Sequence, residues 1–196
     1  MEKRLKEKGE ETRNRILKAG SICFSRKGYD ATSVEEICKE AGISKGGFFH
    51  HFPTKQALFL ELLNNWLSEL DKEMDRITSV SENIYDSLIK MTGLIKKVLE
   101  DSYGQLPLFL EFWMKASKDK EIWEQTISHF KRYREYFSEL IERGRREGSL
   151  KEGDSKLLSH IIVSFSVGLI LQELLDPSGG DWGEIAKGGI QLVLKS

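Results

Sequence analysis

The sequence is poor in residues that stabilise small secreted folds or that mark β-hairpins. Its 196 residues include only two cysteines and three prolines, which is too few cysteines for a disulfide framework. No Asn-Gly or Asp-Gly pair marks a tight hairpin, whereas apolar residues recur with a period near 3.6 along most of the chain. The sequence therefore excludes a disulfide-rich domain and predicts an all-α protein, with 39% hydrophobic residues available for a core.

Motifs of common enzymes and metal sites are also scarce. The chain has no HExxH helix, no Walker-type phosphate loop and no Cys/His spacing typical of a metal site. We therefore expect no catalytic residue, no metal and no cofactor. The first residues, MEKRLKEKGEE, are dominated by charge, so we expect no signal peptide and a cytoplasmic protein with reduced cysteines. A redox pair formed by Cys23 and Cys38 is the alternative.

Charge is distributed unevenly along the chain, although the formal net charge is only −1. Residues 1–60 contain 12 Lys and Arg against 8 Asp and Glu, a net charge of +4, whereas residues 61–196 contain 18 against 23, a net charge of −5. A basic segment joined to an acidic remainder is typical of a DNA-binding domain attached to a larger body.

The most informative stretch is TSVEEICKEAGISKGGFFHHFPTK, residues 32–55. Thr32 and Ser33 each precede a glutamate by three residues, which predicts overlapping capping boxes at the start of a helix. One apolar stripe follows, formed by Val34, Ile37, Cys38 and Ala41. Gly42 is suited to the left-handed end of this helix, and Ser44 to the N-cap of the next. Helix, glycine turn and helix is the arrangement of a helix-turn-helix, whose second helix enters the DNA major groove.

The second helix, which begins SKGGFFHHF, has features suited to a polyanion. A helix N-terminus offers unpaired amides and partial positive charge to phosphate. Its two glycines cost about 1 kcal/mol each in helix propensity, but they would let the backbone lie close to DNA. Lys55 lies in the first turn of the following helix, where a cation opposes the dipole, so a phosphate contact explains it better than stability. The candidate DNA-contacting residues are Thr32, Ser33, Ser44, Lys45, Gly46, Gly47, Phe49, His50, His51 and Lys55.

These residues resemble a known family. SKGGFFHHFPTKQAL is similar to the pattern Ser-Lys-Gly-x-Leu-Tyr-x-His-Phe-x-x-Lys-x-x-Leu of TetR/AcrR-type repressors, and ATSVEEICKEAG is similar to their first motif helix. Two positions depart from the pattern: Phe49 lacks the tyrosine hydroxyl that would bind phosphate, and Cys38 replaces a smaller residue. The resemblance implies a one-component regulator that binds a palindromic operator as a homodimer and carries a small-molecule site in its second domain.

Helical periodicity predicts the remaining organisation, with about nine helices in total. After a frayed basic arm, residues 1–9, we expect helices at about 10–27, 54–77, 84–99, 108–117, 122–141, 157–175 and 182–195. Residues 1–53 would form a three-helix DNA-binding head closed by Phe24, Ile37, Phe48 and Phe52. Residues 54–196 would form a larger helical ligand-binding and dimerisation domain, and the helix at 54–77 has apolar residues enough for both domains.

Bulky aromatic residues cluster in this second domain. Aromatics between helices can line an elongated apolar pocket, and the resemblance favours a small apolar or amphipathic effector there. The candidate lining residues are Leu62, Trp66, Phe109, Phe112, Trp113, Phe130, Tyr133, Phe137, Ile162 and Phe165. Ordinary core packing is the alternative for each of them.

Residues 157–175, LLSHIIVSFSVGLILQELL, are apolar nearly all round. A membrane span is one interpretation, but the segment carries His160, Gln172 and Glu173. A helix that is apolar on every side in a soluble protein needs a second partner. We therefore expect this helix and the one at 182–195 to form a homodimer interface and not a membrane anchor. The candidate interface residues are Leu158, Ile161, Phe165, Gly168, Trp182, Ile185, Gly189 and Val193.

Together these features predict a DNA-binding transcriptional regulator that is released from its operator by an effector. Repression is usual for the resembling family, and activation is equally compatible with the sequence because the sign depends on operator position. The alternative is a helical ligand-binding or interaction protein whose helix-turn-helix is inactive, which Phe49 alone favours. An enzyme is the third hypothesis, and no motif identified above supports it.

Overall fold

A computed structural model describes residues 2–95 and 120–195, together with the single positions Leu110, Met114 and Ser117. These residues form helices joined by turns, without strands, so the all-α class is confirmed. The helices are α1 (Glu2–Lys27), α2 (Val34–Ala41), α3 (Lys45–His51), α4 (Lys55–Val80), α5 (Ile84–Met91), α6 (Lys120–Arg146), α7 (Ser155–Leu175) and α8 (Trp182–Lys195). The aromatic segment predicted at 108–117 lies largely outside the described residues.

Two compact units make up the chain. Among the described residues, the first contains residues 2–69 with Leu110 and Met114, and the second contains residues 70–95, Ser117 and residues 120–195. The boundary falls inside α4, so this one helix contributes to both units. The functional division proposed at residue 53 remains a prediction.

The first unit is built around α1, α2, α3 and the first half of α4. Phe24, Ile37, Phe48 and Phe52 are each at most 2% exposed, as expected of the residues closing the head. Cys23 and Cys38 are also buried, with no disulfide. Burial raises the pKa of both thiols, which disfavours the reactive thiolate and argues against the redox alternative.

The two largest differences from the predicted helix boundaries lie at the start of α1 and at the end of α5. α1 begins at Glu2 and not near Glu10, because the glutamate, lysine and arginine of this segment are good helix formers even without an apolar stripe. α5 ends at Met91, whereas one helix was predicted through 99, of which residues 96–99 lie outside the described residues. The Thr92 amide and hydroxyl both donate to the Ile89 carbonyl, at 3.2 and 2.7 Å, which closes a turn before helix resumes at 93–95.

The second unit has its core between the C-terminal half of α4, α5, α6, α7 and α8. The buried core residues are Met74, Ile77, Ile84, Leu88, Met91, Leu94, Leu140, Ile141, Leu150, Ile162, Ile190 and Leu194. α7 is long and apolar enough to cross a membrane, with a mean hydropathy of 1.7, but this criterion of length and composition is weak support for a span. Only 17% of its most apolar 18-residue stretch is buried within the chain. Much of this apolar helix therefore lies on the surface of the unit.

Candidate functional site

The start of α2 is fixed by a capping box. The Ser33 hydroxyl accepts from the Glu36 amide at 3.2 Å, and the Ser33 amide donates to the Glu36 carboxylate at 2.9 Å. The second box predicted from Thr32 does not form. Thr32 is 1% exposed, and its hydroxyl lies within hydrogen-bond distance of the Gly28 and Cys23 carbonyls, at 2.8 and 3.1 Å. Its buried side chain therefore stabilises the end of α1. We remove Thr32 from the candidate DNA-contacting residues.

The turn between α2 and α3 follows the predicted pattern. Gly42 has φ +64°, a left-handed conformation that disfavours other residues. Ser44 caps α3, because its hydroxyl accepts from the Gly47 amide at 3.1 Å. Residues 42–46, Gly-Ile-Ser-Lys-Gly, also have the GxSxG spacing of serine hydrolases, which require a strand-to-helix elbow. Here the serine lies between two helices and is used as a cap, so the spacing carries no catalytic meaning.

The outer surface of α3 combines bare backbone, one cation and exposed rings. A Cβ added at Gly46 would meet only the Ser44 Oγ, at 3.9 Å, and one at Gly47 would be in ordinary contact at 3.5 Å or more. Neither glycine has a positive φ. The fold itself therefore gives no reason for glycine at either position. Phe49 beside them is 49% exposed.

Charged groups around α3 modify the predicted contacts. The exposed Lys45 ammonium is paired with the Glu35 carboxylate, which raises the pKa of Lys45. The His51 pKa is lowered by burial, by His50 and by Arg13. His51 is therefore neutral near pH 7, so it suits hydrogen bonding to base edges better than charge pairing with phosphate. The two histidine rings lie edge to face, 5.0 Å apart.

Lys55 is engaged inside its own unit. Its ammonium donates to the carbonyls of Tyr29 and Thr32, each at 2.7 Å, and to that of Asp30 at 3.4 Å. The expectation that a phosphate contact explains this lysine better than stability is therefore wrong, because three backbone carbonyls of the same unit accept from its ammonium. No sequence pattern indicated these contacts, which join positions 23 to 26 residues apart.

Hydrogen-bond donors on either side of Glu36 set the charge state of this carboxyl. The Glu36 pKa is lowered to about 2, chiefly by its hydrogen bond with Lys27 and then by the Ser33 amide. The carboxylate is therefore ionised throughout the physiological range, as its capping role requires.

The predicted ligand-lining residues are divided between the two units. Leu62 and Trp66 lie in the first unit, both partly buried. Ile162 is core, and Phe137 and Phe165 pack against core clusters of the second unit. Phe130 is partly buried on α6, and Phe109, Phe112 and Trp113 lie outside the described residues.

Tyr133 does line a cleft of about 200 Å³ in the second unit. The other lining residues are Asp71, Met74, Asp75, Arg132 and Tyr136, which the sequence did not single out because they face one another only across two helices. Arg132 pairs with Asp71 at 2.9 Å. The Tyr133 hydroxyl is buried without a hydrogen-bond partner among the described residues, and burial, reinforced by Asp71, raises its pKa.

Several predicted interface residues face their own chain. A Cβ at Gly189 would lie 2.2 Å from the Phe165 ring, so this glycine admits Phe165 within the monomer and is not needed for a partner helix. Leu158 and Trp182 also pack against core clusters. Ile161 and Ile185 remain exposed, at 40% and 41%; Gly168 and Val193 are partly exposed. The exposed apolar residues of α7 and α8 are Leu157, Ile161, Val167, Leu171, Leu175, Ile185 and Leu192.

Comparison with known proteins points to one family. The sequence profile described as "Bacterial regulatory proteins, tetR family" matches residues 16–62, which include α2 and α3. The chain is 32% identical over 120 residues to the uncharacterized HTH-type transcriptional regulator YuxN of Bacillus subtilis, covering 54% of this chain and 40% of that protein. It is 26% identical over 162 residues to the HTH-type transcriptional regulator QacR of Staphylococcus aureus, covering 81% and 84%.

Solved structures share the fold over nearly the whole chain. A TetR transcription regulator from Haloarcula marismortui has a TM-score of 0.82 at 14% identity, covering 95% of this chain and 97% of that one. At this identity the likeness concerns the fold alone.

Proposed function

Because this chain belongs to the TetR family of helix-turn-helix transcriptional regulators, we propose that it represses transcription as a homodimer bound to a palindromic operator. A small effector would release it. In this proposal α3 enters the major groove, and a twofold dimer presents two such helices to two half-sites. Regulators of this family are not enzymes, and the described residues contain no cluster of metal-ligating side chains.

The observation that carries the DNA-binding proposal is the surface of α3. Two adjacent glycines lie in the first turn of this helix although nothing in the fold requires them. Bare backbone at a helix N-terminus admits a phosphate to the unpaired amides. Lys45 supplies charge beside these amides, while His50 and Phe49 offer side chains to base edges, the phenylalanine by apolar contact with thymine methyl groups.

Selection of genomic DNA fragments by the purified protein at moderate salt tests this assignment. We expect enrichment of a palindromic site that is lost with Lys45→Ala. Unchanged binding by this variant would show that α3 is not the recognition helix. If a folded wild-type protein enriched no site, the alternative with an inactive helix-turn-helix would be favoured.

The exposed apolar residues of α7 and α8 support the homodimer proposal. An apolar surface of this extent on a soluble protein usually marks an interaction site, and a second copy would cover α7 and α8 with the same two helices. Ile161→Glu places a charge at this surface. We expect it to give a monomer in sedimentation velocity, whereas Val80→Glu, at an apolar residue that is 63% exposed outside both helices, keeps the dimer. A dimeric Ile161→Glu protein would exclude this interface.

The cleft beside Tyr133 supports a ligand site in the second unit. Its partly apolar lining and unpaired buried hydroxyl suit a small amphipathic molecule with a hydrogen-bonding group. Binding would change operator affinity only if the effector had different affinities for the DNA-bound and free states, and a coupling of about 1–3 kcal/mol is typical. Because DNA is the target, we expect the protein to act in the cytoplasm.

A further inference from the structure

We infer that the cleft beside Tyr133 binds an organic cation with N–H donors, an amphipathic primary amine or guanidine, and that Arg132 occupies the cationic position in the free protein. The inference rests on the effector site proposed above and names the class of ligand that this site takes. It is carried by the charges, the rings and the unpaired acceptors that line the cleft within the second unit.

The charged groups of the cleft leave one negative charge in excess. Its described lining residues include two carboxylates, Asp71 and Asp75, and one guanidinium, that of Arg132, so two negative charges and one positive charge give a net charge of −1. Arg132 pairs with Asp71 at 2.9 Å, whereas the Asp75 carboxylate has no hydrogen bond or ion pair with any described residue. His129 adds no charge near pH 7, because burial and then Arg132 lower its pKa. The cleft therefore attracts a cation and repels an anion.

Arg132 itself shows how the cleft holds a cation. Its guanidinium carbon lies 5.3 Å from the centroid of the Tyr133 ring, a cation–π distance, and its Nη2 is paired with Asp71. The side chain of Arg132 is 51% exposed and that of Asp71 is 32% exposed, so water screens this pair and it adds little to stability. A ligand cation can therefore take the same carboxylate and ring while Arg132 turns into solvent.

The Tyr133 hydroxyl favours a cation that carries N–H donors. This hydroxyl is buried without a hydrogen-bond partner among the described residues, which costs the free protein stability. Burial, and then Asp71, raise the pKa of Tyr133, so the group is a neutral hydroxyl whose lone pairs can accept. The carboxylates of Asp71 and Asp75 only accept. A primary ammonium or a guanidinium supplies several donors to these groups, whereas a quaternary ammonium supplies none.

The remaining lining residues favour a small apolar group beside the cation. Met74 is 4% exposed and presents a thioether. The Tyr136 hydroxyl lies 3.5 Å from the Thr78 hydroxyl, so the Tyr136 side chain offers mainly its ring. The cleft volume of about 200 Å³ is below the roughly 300–1,000 Å³ of sites for drug-sized ligands. A single ring or a short chain therefore matches the cleft better than a large ligand.

Methionine NMR tests the site directly, because Met74 lines the cleft and Met91 is a buried methionine of the same unit that does not. The full chain, with ¹³C-labelled methionine methyl groups, would be titrated with benzylamine, benzyltrimethylammonium, benzyl alcohol and benzoate in the millimolar range. We expect benzylamine to shift the Met74 signal and to leave the Met91 signal in place. The quaternary cation and the neutral alcohol should bind more weakly, and benzoate should not bind. Tighter binding of benzoate or benzyl alcohol than of benzylamine would overturn the inference.

Carboxylate and guanidinium variants assign the charged contacts. Asp75→Asn should weaken benzylamine binding about tenfold, since a charge-assisted hydrogen bond is lost. Glu73→Gln is the matched control, because it removes a carboxylate of the same helix that pairs with Arg76 outside the cleft, and its affinity should stay at the wild-type value. Arg132→Gln removes the competing cation and should bind benzylamine more tightly. Equal losses in the two carboxylate variants, or weaker binding by Arg132→Gln, would overturn the inference.

Tyr133→Phe separates a ligand contact from a structural role. The variant loses the acceptor and keeps the ring, so benzylamine should bind several-fold more weakly while benzyltrimethylammonium keeps its affinity. A hydroxyl with a structural role alone would leave the ratio of the two affinities unchanged, and this result would overturn its assignment as an acceptor.

Binding to the duplex recovered by the genomic selection distinguishes this inference from the proposed function. If benzylamine binds with the expected pattern among the variants but leaves duplex affinity unchanged, the cation site stands and its role as an effector site fails. If the protein binds the duplex but benzylamine does not shift the Met74 signal, the cation site fails and the DNA-binding function stands.

Discussion

Replacing Gly46 by alanine tests whether the bare surface of α3 exists for DNA. The substitution should act in opposite directions on stability and on binding. A Cβ at this position meets only the Ser44 Oγ at 3.9 Å, and the backbone lies in an ordinary helix. The protein alone therefore tolerates the methyl group.

The expected gain in stability follows from helix propensity. Alanine is better than glycine within a helix by about 0.5–1 kcal/mol, and no clash offsets this gain. Gly42→Ala is the matched contrast, three residues before α3. Because Gly42 has φ +64°, a Cβ there costs about 1–2 kcal/mol, so the two substitutions should change stability with opposite signs.

The expected loss in binding follows from lost close approach. If a phosphate lies against the backbone at Gly46, the methyl group disrupts a charge-assisted hydrogen bond worth about 1.5 kcal/mol per head. This is about tenfold in affinity for each head and about a hundredfold for a dimer that binds with both heads. No charge is removed, so the salt slope should stay at its wild-type value. Chemical denaturation measures the stability change, and fluorescence anisotropy with the selected duplex measures affinity.

One result would refute this reasoning directly. A Gly46→Ala protein that is more stable and binds the duplex with wild-type affinity would show that no DNA backbone approaches this surface. Gly9→Ala on α1, where a Cβ also meets nothing within 4 Å, controls for the effect of helix propensity alone.

Three further changes have defined outcomes. Glu35→Gln frees the Lys45 ammonium from its ion pair, so duplex affinity should rise several-fold at low salt, and screening should remove the gain at high salt. Glu36→Gln should lower the free energy of unfolding at pH 7. The folded pKa of Glu36 is depressed from 4.5 to about 2. The difference in unfolding free energy from wild type, measured with denaturant, should therefore disappear as pH falls through this interval. Tyr133→Phe removes a buried unpaired hydroxyl, so the free energy of unfolding should rise by about 1 kcal/mol.

Controls sharpen these three tests. Glu40→Gln removes a carboxylate that pairs with Arg26 instead, and an equal gain in DNA affinity would show a general charge effect. A Glu36 contribution that kept its full pH 7 size at pH 2 would contradict the depressed pKa of this carboxyl. Tyr136→Phe removes a hydroxyl lying 3.5 Å from the Thr78 hydroxyl, so it should give no stabilisation, and equal gains in both variants would contradict the role of the unpaired hydroxyl.

The helix-turn-helix was predictable because its signals are local. The capping serines, Ser33 and Ser44, bond to amides three residues ahead, and Gly42 takes its left-handed conformation within one turn. Such interactions are encoded in adjacent residues, so spacing alone located both helices. The same reasoning failed where two local patterns competed, since Thr32 and Ser33 both precede a glutamate and burial gave the cap to Ser33.

The interface candidates show a different limit. Periodicity correctly placed α7 and α8, but a helix that is apolar nearly all round does not reveal which face turns inward. The ring of Phe165 occupies the space at Gly189, which leaves Ile161 and Ile185 outside. The apolar character was a property of the sequence, whereas the orientation depended on packing between helices.

The sequence by itself therefore determined the helical class, the position of α3 and the residues on its outer surface, because these follow from contacts within about four residues. Only the folded chain assigned Lys55 to three carbonyls, Glu35 to Lys45, and the cleft at Tyr133 to two facing helices. These contacts join residues that are distant in sequence, and neither periodicity nor motif spacing carries information about them.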